Sequence, residues 1–198
     1  MAETLNETRQ VRGAPVPTAT SAPSITSIHG VARTVHRWTV DIESTPKDFR
    51  TRYEQAVPPL PAADVAALAK RHAPWQEMLD LMAKSAPWGF VIYNVIDADP
   101  VMRLSGAPAY CVSYLMGNHT IAARMFRYEP AILLYAPLRT AIWGAADGPA
   151  HFSFDQPSDQ FGSFGNPEVT AVGVELDRKM AALLDHLGAS VPDALLGR

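Results

Sequence analysis

The amino-acid sequence predicts an α+β domain, a two-layer sandwich in which amphipathic helices pack on one face of a mixed or mostly antiparallel sheet. Two patterns indicate this fold class. Strand-like segments follow one another through turn signals, and helical segments with a continuous apolar stripe lie between or after them. The composition agrees, because 47% of the 198 residues are hydrophobic and 19% are charged, which excludes a wholly disordered chain.

The start of the chain is predicted to lie outside this domain. Nearly every residue from 14 to 27 is Ala, Pro, Ser or Thr, and such a segment buries too little apolar surface to offset the entropy of ordering it. We therefore expect residues 1–33 to be a flexible tail and residues 34–198 to form a single domain.

The first half of the domain is predicted to contain a strand, helices and a second strand. Residues 35–43 alternate between polar and apolar positions, as a half-buried strand does. Helices are expected after Thr45, after Pro61 and after Pro74, because an apolar stripe at helical spacing follows each of these positions. Residues 88–96 are rich in β-branched and aromatic side chains and form the second predicted strand.

The second half is predicted to contain further strands around a short helix. A strand over residues 109–116 leads into a helix over 119–127, for which Asn118 is a suitable N-cap. The apolar segment 132–143 is predicted to be a strand pair or one long bent strand, and residues 151–155 a further strand.

The last helix has the clearest boundaries. Asn166 is a suitable N-cap and Pro167 suits the first helical position, after which apolar residues recur three or four apart as far as Leu187. Gly188 is a plausible left-handed terminator. The residues between 155 and 167 are predicted to be a polar loop, a common place for binding groups.

Composition excludes several classes of function. The formal net charge is −3 and basic residues do not interleave with the tryptophans, so we expect no nucleic-acid partner. The longest apolar stretch, 131–138, is far shorter than the roughly 20 residues of a membrane span, and we expect no membrane partner. Cys111 is the single cysteine, which excludes an internal disulfide. No signal-peptide pattern is visible, and we expect a cytoplasmic protein.

The polar cluster around the short helix supplies the first candidate site residues. No Gly-rich phosphate loop, Gly-x-Ser-x-Gly elbow or His-Glu-x-x-His motif is present, so common phosphoryl, acyl and hydride transfers lack support. Asn118, His119 and Arg124 lie close together in sequence. The helix dipole would favour the neutral form of His119, which could then act as a base or accept a hydrogen bond. Alternatively, His119 is a first-turn residue partly in water.

A second group of candidates lies on the predicted strands that follow. Alternation places Tyr135 and Arg139 on one face, and Asp155 ends a strand that we expect beside them. Arg139 could bind a carboxylate or carbonyl in a pocket, or it could pair with Asp155 or Glu175 and fix the sheet. Asp155 is also a candidate for proton transfer.

Metal and cofactor sites have little support in the sequence. No two histidines have the three- or four-residue spacing that would place both on one helix face. A mixed site of His119, His151 and Asp155 would need a coincidence in three dimensions, and haem ligation by His119 has no supporting motif. We therefore predict no metal and no cofactor.

The sequence from Cys111 to about Leu187 resembles domain-of-unknown-function family 302, a family of small bacterial and archaeal proteins. The matching segments are Met116-Gly117-Asn118, the helix through Arg124 and Phe126, Glu129-Pro130, and Leu133-Leu134-Tyr135-Ala136-Pro137-Leu138-Arg139. His119 stands where that family usually has a proline. The resemblance implies a two-layer sandwich with a mixed or antiparallel sheet, and it implies no reaction. The helices between residues 46 and 85 depart from the minimal family domain.

Three functions fit these observations. The first is a small-molecule-binding domain whose apolar pocket has a polar rim of Asn118, His119, Arg139 and Asp155, and whose ligand is apolar with a carbonyl or carboxylate. The second is a cofactor-independent isomerase, cyclase or lyase in which His119 or Asp155 moves a proton and Arg139 holds the substrate. The third is an interaction protein that forms a homodimer through its sheet or through a surface rich in Tyr and Trp. The first two require His119 and Arg139 to meet at one cavity.

Overall fold

A computed structural model of the protein describes residues 27–197, of which Ala32 onward belong to one compact unit. The predicted tail therefore lies largely outside the described residues. Five strands form one antiparallel sheet in the order β1-β5-β4-β3-β2. The strands are β1 Arg37–Ile42, β2 Val91–Asp97, β3 Ala109–Gly117, β4 Leu138–Ala145 and β5 Ala150–Asp155.

Seven α-helices and three short 3-10 helices connect or follow these strands within residues 27–197. The α-helices are α1 Pro46–Ala56, α2 Ala62–Lys70, α3 Trp75–Ser85, α4 Asp99–Met102, α5 His119–Phe126, α6 Pro157–Gly162 and α7 Pro167–His186. The 3-10 helices are Arg103–Ser105, Pro130–Leu134 and Asp193–Leu196. No described helix has the length and apolar character needed to cross a bilayer. The predicted α+β sandwich is confirmed.

The caps of α1 and α7 explain where these two helices begin. The Thr45 hydroxyl accepts a hydrogen bond from the Asp48 amide at 3.2 Å, and the Asn166 side chain accepts from the Glu168 amide at 2.9 Å. Each cap satisfies an amide that the first helical turn leaves without a partner. Gly188 follows α7 with a φ of 72°, the left-handed conformation predicted for it.

One face of the sheet carries the main hydrophobic core. One buried cluster contains Phe49 and Tyr53 of α1, the apolar stripe of α7, alternate residues of β1, β3, β4 and β5, and Ile92 of β2. The other face of β1, β5 and β4 carries residues such as Arg37, Ser153 and Arg139, which are exposed or half-buried. Since successive strand residues point to opposite faces, one buried face leaves the other free for polar groups.

A smaller cluster lies beside β2. Met82, Ala86 and Val91 are buried there, with residues of α2 and α3 packed around them. The Leu60 amide donates to the Ile92 carbonyl at 2.8 Å, and the Ile92 amide donates to the Pro58 carbonyl at 2.8 Å. These two bonds pair part of the outer edge of β2, which would otherwise expose unpaired backbone groups.

Two predicted segments differ in the structure. The predicted strand over residues 132–143 begins only at Leu138, because Pro130 and the side chain of Glu129, which accepts from the Ala131 amide at 2.9 Å, start a 3-10 helix instead. The loop predicted between residues 155 and 167 contains α6. The Asp177 carboxylate, which belongs to the following helix α7, accepts from the Ser158 amide at 2.9 Å and thereby caps α6.

Candidate functional site

An apolar cavity of about 160 Å³ lies at the end of the sheet where β3 runs into α5 and where β4 begins. We call it the His119 cavity. Its lining residues are Phe90, Tyr93, Gly117, Asn118, His119, Ile121, Ala122, Met125, Leu133, Ala136, Pro137, Leu138, Phe161 and Leu176. None of these described residues carries a permanent charge, so the cavity suits an uncharged group better than an ion.

Asn118 caps α5 and thereby positions His119, the first residue of that helix. Its side-chain oxygen accepts hydrogen bonds from the amide and the hydroxyl of Thr120, at 2.9 and 2.7 Å, and its side-chain nitrogen donates to the Gly89 carbonyl at 3.2 Å. The cap predicted from the sequence is therefore formed. Because these bonds occupy both ends of the amide, Asn118 holds the helix start in place and has less capacity left for a ligand.

His119 is the chemically distinctive residue of this cavity. Its ring is half-buried, lies edge-on to the ring of Tyr93 at a centroid distance of 5.0 Å, and makes no hydrogen bond to a described residue. Burial lowers the pKa of His119 below its ordinary value, because the charged imidazolium loses more hydration than the neutral ring. At neutral pH the ring is uncharged, with one nitrogen able to accept and one able to donate.

Tyr93 adds a second polar group to the same cavity. Burial raises the pKa of its hydroxyl to about 12, and a hydrogen bond with the backbone of His119 opposes this rise. The hydroxyl therefore stays protonated across the physiological pH range. Sequence reasoning placed Tyr93 in a strand without a site role, since nothing local distinguishes it from other strand tyrosines.

Arg139 and Asp155 do not line the His119 cavity. Leu138 of β4 points into that cavity, and Arg139, the next residue, points to the opposite face. Asp155 accepts from the Arg37 guanidinium at 2.8 Å. The expectation that His119 and Arg139 meet at one cavity is therefore not met in this structure, because strand alternation separates them.

A second cavity, of about 330 Å³, lies next to the first, and we call it the Arg139 cavity. The two cavities share Leu133 and Pro137. The second is lined by Arg33, Leu115, Leu133, Leu134, Tyr135, Pro137, Arg139, Asp155 and Gln160. The candidates Tyr135, Arg139 and Asp155 thus meet here, separately from Asn118 and His119.

The remaining candidates lie elsewhere. Arg124 donates to Glu175 of α7 at 2.7 Å and lines neither cavity. His151 bonds Asp41 at 2.7 Å, and its ring lies tilted against that of Trp143, away from His119. Among residues 27–197, no group of three or more His, Cys, Asp or Glu side chains is arranged to hold a metal ion.

Comparisons with known proteins agree with the fold. The family described as domain of unknown function DUF302 matches residues 72–187, a region that runs from just before α3 to the end of α7. A crystal structure of an uncharacterized conserved DUF302 protein from Bacillus stearothermophilus is similar, with a TM-score of 0.55 and 15% identity. The similarity covers 76% of this chain and 97% of that one. No curated protein matches.

Proposed function

The chain belongs to the DUF302 family, whose description names no activity, and we propose from the geometry that it binds a small, mostly apolar molecule in the His119 cavity. The observation that carries the proposal is a neutral imidazole without a described partner, held in an otherwise apolar cavity. Such a combination of apolar walls and one or two convergent polar groups is typical of ligand sites.

The volume limits the size of this ligand. At about 160 Å³, the cavity is close to the engineered cavity of roughly 150 Å³ that accommodates benzene in another protein. A single ring or a short branched chain would fill it. The exposed Leu133, at the shared rim, would cover part of such a ligand.

The lining also restricts the chemistry of the ligand. His119 offers one hydrogen-bond acceptor and Tyr93 offers a hydroxyl, whereas no described lining residue offers a cation. A hydroxyl or carbonyl group would be satisfied here, but a carboxylate would lose its hydration without compensation. We therefore favour a neutral ligand with a single hydroxyl or carbonyl group.

The enzymatic alternative has less support. It would use His119 or Asp155 to move a proton and Arg139 to hold the substrate. His119 lines a different cavity from Arg139, and Asp155, which lines the same cavity as Arg139, has its carboxylate paired with Arg37. Binding is the function that the geometry favours.

The proposal is tested by titrating the full-length protein with phenol, benzene and benzoate while following amide resonances by NMR. We expect phenol to bind tighter than benzene, and benzoate to bind weakest. The variant Ala122→Leu fills the cavity and should weaken phenol binding at least about tenfold, since the added side chain takes the volume of the ring.

Matched variants separate this effect from general damage. Ala123→Leu places the same side chain on α5 outside the cavity and should bind phenol as the wild type does. His119→Phe should keep benzene binding and lose the preference for phenol. Equal phenol binding by wild type and Ala122→Leu, or no shift at any cavity residue, would refute the proposal.

A further inference from the structure

Arg139 has a guanidinium group without an ion-pair partner among the described residues. It lies on the open face of β4, beside Asp155 of β5, but the Asp155 carboxylate bonds Arg37 instead. Across the cavity, Arg33 lies over the ring of Tyr135 at 4.3 Å. A guanidinium can donate two parallel hydrogen bonds to one carboxylate, so Arg139 is suited to hold an incoming anion.

Gln160 provides a second and independent indication of a ligand. This residue of α6 lines the same cavity and is only 8% exposed, and its buried side-chain oxygen has no hydrogen-bond partner among residues 27–197. A buried amide oxygen of this kind costs free energy unless a donor reaches it. Because this oxygen has almost no accessible surface, a ligand in the cavity would reach it once the Gln160 amide turns toward the cavity, and a hydrogen bond donated by that ligand would then remove the cost.

The charges around the cavity favour an anion over a cation. Arg33 and Arg139 are positive, and Asp155, the one acidic side chain among the described lining residues, is already neutralised by Arg37. Leu115, Leu134 and the shared Leu133 supply apolar surface beside these groups, and Leu134 is 75% exposed. The volume of about 330 Å³ lies at the lower end of the usual range for small-molecule sites.

We propose that the Arg139 cavity is a second ligand site, which takes a small hydroxycarboxylate with an aliphatic side chain. The carboxylate accepts from the Arg139 guanidinium, the hydroxyl donates to the Gln160 side-chain oxygen, and the aliphatic part contacts Leu134. This site is separate from the His119 cavity and does not depend on the function proposed for that cavity.

The decisive probes are leucate, the hydroxy analogue of leucine, and isocaproate, which has the same carbon skeleton without the hydroxyl. Their dissociation constants for the full-length wild-type protein are measured by calorimetry or NMR titration. We expect leucate to bind at least about tenfold tighter, because only leucate satisfies the buried Gln160 oxygen. Equal affinities for the two acids would overturn the proposal without any variant being needed.

Variants then assign each contact. Arg139→Met should weaken leucate binding at least about tenfold, which is the effect expected for losing a charge-assisted hydrogen-bond pair. Gln160→Met should make the affinities for leucate and isocaproate equal. The control Arg178→Met removes an equal charge from the exposed side of α7, and an equal loss in that variant would show that net charge is responsible.

A last experiment tests whether the two sites bind their ligands independently. Leucate should bind Ala122→Leu as tightly as the wild type, and phenol should bind Arg139→Met as tightly as the wild type. Loss of leucate binding in Ala122→Leu would place leucate in the His119 cavity and overturn the second site. Failure of phenol to bind anywhere would refute only the first proposal.

Discussion

Two rows of residues cross the sheet side by side, and they differ completely in what they contact. On the buried face, Val40, Phe152, Ile142 and Val112 are aligned across four strands. One residue earlier or later in each strand, on the open face, the aligned residues are Thr39, Ser153, Ala141 and Ser113. The first row is stabilised by packing, whereas in the second row Thr39 and Ser153 share a hydrogen bond and the Ser113 hydroxyl donates to the Thr140 carbonyl.

The difference shows how the same backbone register supports a core and a polar surface. Thr39 and Ser153 share a hydrogen bond of 2.9 Å, and the Trp143 indole donates to Ser153 at 2.9 Å. Since water can replace these bonds on an open face, each contributes little to the free energy of unfolding. Stability should therefore depend on the buried row and tolerate change in the open row.

The largest expected effect is at Phe152 on the buried row. Its ring lies 5.7 Å from that of Phe49 and 5.4 Å from that of Tyr53, and it is fully buried. Phe152→Ala should lower the free energy of unfolding by about 3–5 kcal/mol in denaturant titration, because the cavity left behind cannot fully collapse.

The matched change on the open row is Ser153→Ala, one residue along the same strand. It should alter the free energy of unfolding by less than about 1 kcal/mol, since water can replace the lost bonds. Comparable losses in the two variants would show that the open face is covered in solution and would remove the contrast between the rows.

A smaller effect is expected from the polar contact inside the core. The Tyr53 hydroxyl is fully buried and lies 3.1 Å from the Thr140 hydroxyl and 3.1 Å from the Met116 sulfur. Tyr53→Phe should lower the free energy of unfolding by about 1–2 kcal/mol, because Thr140 then lacks a side-chain partner. Tyr128→Phe, on an exposed tyrosine, is the control and should change nothing measurable.

How far the sequence predicts this molecule depends on how local each cause is. The caps Thr45, Asn118 and Asn166 act within three residues, and all three helix starts are confirmed. The α6 helix was missed because its cap is Asp177, a residue of α7 that comes close only in the folded chain.

The candidate site divides in the same way. The place of His119 at the start of α5 follows from local signals, and it is confirmed. His119 and Arg139 are separated because β4 begins only at Leu138. The apolar residues before Leu138 resemble a strand in the sequence, so this starting point could not be predicted from it. Tyr93 and Gln160 reach their cavities through tertiary packing, and no nearby sequence pattern marks either residue.

The burial of His119 makes the free energy of unfolding depend on pH. Burial lowers its pKa, so the unfolded chain takes up a proton at higher pH than the folded chain does. The contribution of His119 to the free energy of unfolding is fully present above its ordinary pKa of about 6.5. It is lost as the pH falls below that value.

Denaturant titrations at pH 7 and at pH 5 test the direction of this change in the free energy of unfolding. The wild type should lose more stability on acidification than His119→Gln, and the difference isolates His119 from the other histidines. Within the described part of the chain, Tyr93 is the only other titratable residue lining the cavity, and with a pKa raised to about 12 it does not change charge in this window. A larger loss in His119→Gln than in the wild type would mean that the ring is stabilised as the cation.

The smallest expected effect is at the ion pair on the open face. Arg37 and Asp155 lie 2.8 Å apart, and the arginine side chain is 72% exposed. Water and salt screen such a pair, and fixing two long side chains costs entropy, so Arg37→Met should leave the free energy of unfolding unchanged within error at high salt.

The loss of Arg37 should instead affect Arg139, which lies beside Asp155. Once Arg37 is gone, the Asp155 carboxylate is free to pair with Arg139, and leucate binding in the Arg139 cavity should weaken although the fold is unaltered. Unchanged leucate affinity in Arg37→Met would indicate that the Arg37–Asp155 pair does not keep Arg139 available.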